Sequence, residues 1–259
     1  MNIQSQTKTQ AEIPAKTQSK TQDKAFARTI DLDTSSVREL NQLLHDLSHH
    51  LPPGSNATAL RVLNPRGVHA VAAGVDADVT IEIEGDVVYY CGGMNKRATI
   101  VIDGSAGIGL GENMMSGLIL VRGNASDSLG ATAHGGTIIV DGNASGRCGI
   151  SMKGVDIIVK GSIGPMSAFM AQAGTLAVFG DVGEAFGDSL YEARLFVRGK
   201  VASLGADCVE KPMEEKHRAE LYAKLAQHGL AGSVDVGEFK RYGSARTLYH
   251  FHVDNAGAY

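Results

Sequence analysis

The sequence has no tryptophan and, across 259 residues, only three cysteines and six prolines. Cys91, Cys148 and Cys208 are widely spaced and form no C-x-x-C pair. That argues against a disulfide framework, a zinc ribbon or an iron–sulfur cluster held within this chain. A reducing cytoplasm is the expected location. No apolar run approaches the roughly 18 residues of a membrane helix. The opening MNIQSQTKTQ carries no apolar h-region, so no secretory signal is expected. Neither sign of charge dominates, with 24 Lys+Arg against 28 Asp+Glu and a net charge of −4, which gives no global reason to bind nucleic acid. The hydrophobic fraction of 43% suits a folded protein, and the length suits one or two domains.

Residues 1–25 are low in complexity, with Lys-Thr-Gln at 8–10, 16–18 and 20–22. A segment with so little apolar surface cannot offset its ordering entropy, so a disordered arm is expected. Residues 26–59 read as a strand and helix. Thr29–Leu32 is strand-like, and Ser36 with Glu39 forms a capping box. Val37, Leu40, Leu43, Leu44 and Leu47 then make one apolar helical face, and Pro52-Pro53-Gly54 ends the unit. His45 and His49 have the i, i+4 spacing of a metal pair, but no acidic third ligand accompanies them. Imidazoles capping carbonyls near a helix C-terminus are the expected reading.

The centre of the chain, over 60–210, is a repeat. Gly85, Gly104, Gly123, Gly142, Gly161, Gly180 and Gly199 stand 19 residues apart. Two and four residues before each glycine the chain has Ile, Val or Leu. Seven residues after each it has Gly92, Gly111, Gly130, Gly149, Ala168, Gly187 and Ala206. Each unit reads as an aliphatic strand, a glycine corner, a small-residue stretch and a second tight corner. A strand–helix–strand unit does not fit in so short a repeat. The expected fold is all-β: a right-handed parallel β-helix of about seven coils, with short helical caps at both ends. At about 4.8 Å per coil it makes a rod on the order of 30 Å long. Gly67 and Gly74 keep the seven-residue offset one position out of phase, which leaves either a degenerate eighth coil or a cap there. The Gly107–Gly111 run has no βαβ unit around it and is not a nucleotide loop. The two Asn-Ala-Ser triplets at 124–126 and 143–145 occupy one turn of successive coils rather than marking glycosylation.

Residues 211–259 differ in kind. Glu214–Gln227 reads as a helix with Leu221 and Leu225 apolar and Gly229 as its stop. The stretch 239–259 holds 5 of the 14 Phe and Tyr residues, together with Lys240, Arg241 and Arg246. Aromatic and Arg residues concentrate where surfaces are buried against a partner. Arg241, Tyr242, Arg246, Tyr249, Phe251 and His252 are therefore candidate partner contacts, with packing of the tail on its own solenoid weighed equally. His250 and His252 alternate along a strand, where local packing is expected rather than a metal.

Chemistry is sparse. Glu184 and Asp188 form a weak carboxylate pair of the kind used by polysaccharide-cleaving β-helices. Cys148, beside Arg147, is expected to be a small buried hydrophobe rather than a reactive thiol. Cys91 and Cys148 lie three coils apart, roughly 14 Å, too far for a disulfide. The methionines, Met114, Met115, Met166 and Met170 among them, suggest adaptable packing or an interface. No nucleophile, base and orienting group come together. No catalytic, cofactor-binding or metal residue is assigned to this chain.

The pattern G-x-x-G-x-x-x-G at Gly104/Gly107/Gly111 and Gly180/Gly183/Gly187 resembles the GXGXG domain at the C-terminus of the glutamate synthase large subunit. Longer strings are more specific: GENMMSG (111–117), GRCGISMKG (146–154), MSAFMAQAG (166–174), GDSLYEARLFVRG (187–199), LGADC (204–208) and RYGSARTLYHFHVDNA (241–256). They resemble the stand-alone β-helix subunit of N-methylglutamate synthase, also called methylamine–glutamate N-methyltransferase, and the related GlxC-type proteins, over roughly residues 60–256. The resemblance implies a structural subunit of a hetero-oligomer. Its partners would be a glutamine-amidotransferase-like subunit and a synthase subunit carrying FMN and an iron–sulfur cluster. Together they would convert glutamate and methylamine to N-methylglutamate and ammonia. The β-helix subunit would bridge the two and help shield the path of ammonia or methylamine. The GXGXG coils also resemble the corresponding subunit of formylmethanofuran dehydrogenase and of the formyltransferase–hydrolase assembly, which is the alternative. An independent β-helix enzyme would need a cleft with paired acids or a histidine base.

Overall fold

The computed structural model describes residues 28–50 and 58–246, with side chains for 28–47 and 59–246. The low-complexity arm and the end of the tail lie outside them. Eleven strands form one continuous sheet in the order β1-β2-β3-β4-β5-β6-β7-β8-β9-β11-β10. β1 (Arg28–Asp31) leads into α1 (Val37–His50), then β2 (Thr58–Leu63). The solenoid strands follow: β3 (Val79–Glu84), β4 (Thr99–Asp103), β5 (Leu118–Val121), β6 (Thr137–Val140), β7 (Lys153–Val159), β8 (Ala173–Val178) and β9 (Arg194–Val197). From β3 to β9 each strand pairs in parallel with its counterpart one coil on. Ile81, Ile100, Ile119, Ile138, Ile157, Leu176 and Leu195 thus stack in one interior column, all fully buried.

A second line of isolated bridges, through Val87, Ala106, Ala125, Ala144, Ile163, Val182 and Val201, makes the far side of each coil. Between that line and the next strand the chain runs as a tight arc. In it every second residue is left-handed, as at Gly109, Gly111 and Asn113 (φ 71°, 65° and 55°). The alternation has a cause in hydrogen bonding. The N–H of Gly109 donates forward to Asp127, that of Gly111 backward to Cys91, and that of Asn113 forward to Ala131. An arc bonded to both neighbouring coils must flip its peptides in turn, and the left-handed region supplies the flip.

The two glycine columns answer two different needs. Gly111 has positive φ, whereas Gly123 does not. Instead the Gly123 N–H donates to the Gly104 carbonyl at 2.8 Å, and a Cβ on Gly123 would lie 2.7 Å from that same oxygen. Beside this column runs a polar ladder. Asp86, Ser105, Asn124, Asn143, Ser162 and Asp181 each accept, through a side-chain oxygen, the backbone N–H of the next rung, at 2.7 to 3.1 Å, and the last bond goes to Lys200.

At the N-terminal end the degenerate region is an eighth, irregular coil. β2 pairs in parallel with β3 at a separation of 21 residues, Leu60 facing Ile81, and β1 pairs with β2. α1 closes this end. Its capping box forms, the Ser36 hydroxyl accepting the Glu39 N–H and the Glu39 carboxylate accepting the Ser36 N–H. Leu40 and Leu44 enter the solenoid core.

The helix expected after the solenoid is α2 (Glu215–Ala226), but it lies along the flank rather than across the end. Leu221 and Leu225 pack on the outer face of β6–β9 against Ile139, Ile158 and Phe196. The Lys224 ammonium bridges both Asp156 oxygens at 2.7 and 2.8 Å, and Arg194 pairs with Glu220 at 2.9 Å. The end itself is closed by strands. β11 (Lys240–Ser244) inserts between β9 and β10 (Cys208–Lys211) and runs antiparallel to both. The repeat pattern ends there too: the positions 19 residues beyond Leu195, Val197 and Gly199 are Glu214, Lys216 and Arg218, which continue neither the aliphatic nor the glycine column. Strand β11 of segment 211–246 thus completes the sheet at its C-terminal end.

Candidate partner-binding surfaces

The places where sequence suggested chemistry are occupied by structure. Asp188 accepts the Ser189 hydroxyl at 2.7 Å and the Ala206 N–H at 3.3 Å, so it serves its own turn. His45 Nε2 lies 2.9 Å from the Ala73 carbonyl and ties α1 to the first coil, as does Asn41 through the Ala70 carbonyl at 2.8 Å. The side chain of His49 lies outside the described residues, as do His250 and His252. Among the described residues no three His, Cys, Asp or Glu side chains could hold a metal ion.

All three cysteines are free and buried. Burial pushes the Cys91 and Cys148 thiols up to about 12 and the Cys208 thiol up to about 11. Cys148 is therefore a packing residue, and its neighbour Arg147 points outward. The interior column of Cys91, Leu110, Leu129, Cys148, Ser167 and Phe186 fills the coil centres with side chains, the Ser167 hydroxyl donating to the Gly164 carbonyl.

Of the candidate partner contacts, Tyr242 requires correction. It is buried at the end of the core, with its ring edge-on to Phe186 at 5.9 Å. An alternating β11 pairing on both sides turns this ring inward, which makes it part of the cap rather than a surface residue. Arg241 donates to the Pro212 carbonyl at 3.0 Å, and Arg246 pairs with Asp207. Both remain on the surface but serve to fasten β11 to its neighbours. Tyr249, Phe251 and His252 lie outside the described residues.

With both ends capped, the sides of the rod remain for partners. α2 covers the C-terminal half of the outer sheet face. On the N-terminal half the same face is charged, with Arg61 paired to Glu84 and Arg122 to Asp141. The polar ladder forms a flat corner of small residues. The arc carries most of the exposed large apolar groups, and α2 carries another, Tyr222. The methionines divide accordingly: Met114 and Met152 are interior, whereas Met94, Met115 and Met170 are exposed. Sequence reasoning did not single out Tyr89 and Ile108, which stand one above the other on the arc. The signal was present, because the same column continues as Asp127, Gly146, Pro165, Glu184 and Ser203, with no second pair of large apolar side chains.

No helix of the described residues is long and apolar enough to cross a membrane. No family model matches the chain. It is 55% identical over 230 residues to Protein GlxC of Rhizobium meliloti (strain 1021), covering 89% of this chain and 99% of that protein. Its fold resembles a chain in the crystal structure of the formyltransferase/hydrolase complex FhcABCD from Methylorubrum extorquens in complex with methylofuran. That chain is 23% identical, the match covers 87% of this chain and 94% of that one, and the TM-score is 0.61.

Proposed function

The chain belongs to the family of Protein GlxC, and from that premise we propose that it is the β-helix subunit of an N-methylglutamate synthase. In this reading it is a non-catalytic assembly subunit. It bridges a glutamine-amidotransferase-like subunit and a synthase subunit that holds FMN and an iron–sulfur cluster. The complex converts glutamate and methylamine to N-methylglutamate and ammonia. The observation that carries the reading is the 55% identity, which extends over almost the whole of both chains. The architecture supports it in three ways. The interior is packed with side chains, the thiols are buried, and Asp188, one of the two acids suggested for catalysis, is engaged in its own turn. A packed interior also means that any ammonia or methylamine path shielded by this subunit would follow the outside of the coils.

The second reading, a subunit of a formyltransferase–hydrolase assembly, draws support from the structural likeness, which at 23% identity concerns the fold. One experiment separates the two. The full chain is tagged in its native source and purified gently, and stoichiometric partners are identified by mass spectrometry. An amidotransferase-like chain and a flavin-coloured chain, with methylamine-dependent formation of N-methylglutamate, are the expected result. Formyltransferase-type partners would replace the first reading by the second. Turnover by the isolated chain would overturn both.

A further inference from the structure

Four of the seven large apolar side chains exposed among the described residues fall within two successive coils. These are Tyr89, Met94, Ile108 and Met115, at 48%, 48%, 51% and 44% exposure. They occupy the arc side of the rod, and aromatic contacts extend the surface around Tyr89. His69 meets Tyr89 edge-on at 5.8 Å, and Tyr89 lies 5.7 Å from Tyr90. The Tyr90 ring lies over Gly93, where a Cβ would come within 2.6 Å of Cζ. The aromatic contacts therefore run from His69 through Tyr89 and Tyr90 to Gly93, the residue before Met94, and Ile108 takes the position of Tyr89 one coil later.

Two features argue that this platform is not a by-product of coil folding. Tyr90 and Met94 sit at left-handed positions, φ 61° and 55°. One coil later the same positions hold Gly109 and Asn113, residue types suited to that conformation. In later coils the same two columns hold Ser128, Arg147, Met166 and Ala185, and Thr132, Ser151, Met170 and Ser189, so the left-handed arc accepts many residue types, and the pairing of a tyrosine with a methionine there is peculiar to the Tyr90 coil. The second feature is charge. The cations around the platform are neutralised from within the chain: Lys96 and Arg97 by Asp76, each at 2.9 Å, and Arg66 by Asp33 at 3.2 Å. The charge within the platform is the Glu112 carboxylate, folded back over Gly109, for which no ion pair appears among the described residues. Contiguous exposed apolar surface rimmed by satisfied polar groups marks a protein interaction site.

We propose that the arc platform of Tyr89, Tyr90, Met94, Ile108 and Met115 is the seat of a partner protein chain. The partner presents an apolar surface with a single cation opposite Glu112. The charge pattern selects this occupant over nucleic acid, because Lys96 and Arg97 are already paired with Asp76 and the charge left within the platform is the Glu112 carboxylate. The proposal rests on the multi-subunit part of the functional reading and not on the identity of the reaction.

The test uses the full-length tagged chain in its native source, comparing wild type with I108D, Y89S and the control Y222S, which removes an exposed ring from α2. At least tenfold less co-purifying partner is expected for I108D and Y89S, at unchanged melting temperature, with Y222S like wild type. A photo-crosslinking residue in place of Ile108 should join the same partner, which keeps the test valid if I108D folds poorly. Wild-type levels of partner on I108D and no crosslink at that position would overturn the proposal. So would a chain that purifies alone, or a crosslink to a second copy of itself. Partners unrelated to a synthase, lost in I108D, would sink the reaction assignment while leaving this surface standing.

Discussion

The carboxamide oxygen of Asn124 accepts the backbone N–H of Asn143, its own counterpart one coil on, at 2.9 Å. Asn143 repeats the act toward Ser162 at 2.8 Å. The ladder lets a side chain one residue beyond each glycine corner finish the hydrogen bonding that the strands begin. Removing a rung leaves one backbone donor to water at a solvent-exposed corner. Asn143→Ala is therefore expected to cost about 1 kcal/mol, read by denaturant unfolding. Asn143→Ser should cost less, since Ser105 and Ser162 already serve as rungs. Equal losses for Ala and Ser would mean that the side chain matters for something other than its acceptor.

Gly123 and Gly229 separate crowding from conformation. A Cβ on Gly123 would meet the Gly104 carbonyl oxygen at 2.7 Å and its carbon at 2.9 Å, both backbone atoms that cannot move without parting the coils. Gly123→Ala is expected to cost about 3 kcal/mol or more. Gly229, after α2, has φ +70° and open space around it. Gly229→Ala should cost about 1 kcal/mol, the left-handed backbone term alone. Thermal unfolding of the two variants side by side decides the ranking, and a benign Gly123→Ala would contradict the stacked-backbone account.

Most of the solenoid was legible because its physics is periodic. The Ile/Val columns, the two glycine columns and the turn shared by Asn124 and Asn143 all recur at one spacing, so each coil confirms the next. What was not legible depends on contacts between segments far apart in sequence. Nothing local to Glu215–Ala226 says that it lies on the flank; that follows from Asp156 and Ile158, more than 60 residues away, which offer Lys224 and Leu225 their partners. Tyr242 looked like a surface aromatic because its burial depends on Phe186 and on insertion of β11 between β9 and β10. The platform around Tyr89 escaped notice for a different reason, since exposed apolar residues break no periodic rule.

The thiols provide a pH signature. Burial raises the Cys91 and Cys148 thiols from 9.0 to about 12 in the folded chain. Below pH 9 both states are protonated, and these groups leave stability unchanged with pH. Above it the unfolded chain loses thiol protons first, so stability falls as pH rises toward 12, by at most about 1.4 kcal/mol per unit for each thiol. At pH 8 a thiol reagent should modify these two cysteines only as fast as the chain unfolds. Rapid stoichiometric labelling of the folded protein at either site would overturn their placement in the core.

The clamp between Lys224 and Asp156 holds α2 to the sheet, with each side chain about a quarter exposed at 23%. Beneath the helix the Thr175 hydroxyl is buried without a partner. Lys224→Ala strands Asp156 at this half-buried seam and is expected to cost about 2 kcal/mol. The loss should be local: amide exchange should quicken across 212–239 while β3–β6 stay protected. The pair Lys224→Met with Asp156→Leu should regain much of the loss, since no charge is then left alone. A double variant as unstable as the single would show that the helix depends on the ion pair itself.

The described part of the C-terminal segment, up to Arg246, is structural. Tyr242 is buried against Phe186, and β11 covers the edge of β9, so cutting the chain before residue 239 removes the cap and exposes a strand edge. Tyr242→Ala should accordingly cost about 3 kcal/mol. Deleting 247–259 removes only residues beyond that pairing. If Tyr249, Phe251 and His252 latch a partner, the deletion should weaken co-purification several-fold and leave the melting temperature of the isolated chain within about 2 °C of wild type, because less than about 0.5 kcal/mol is at stake in the fold. Full assembly by the shortened chain would place the partner contacts elsewhere and leave the tail without that role. A large drop in melting temperature would instead show that the tail packs on its own solenoid.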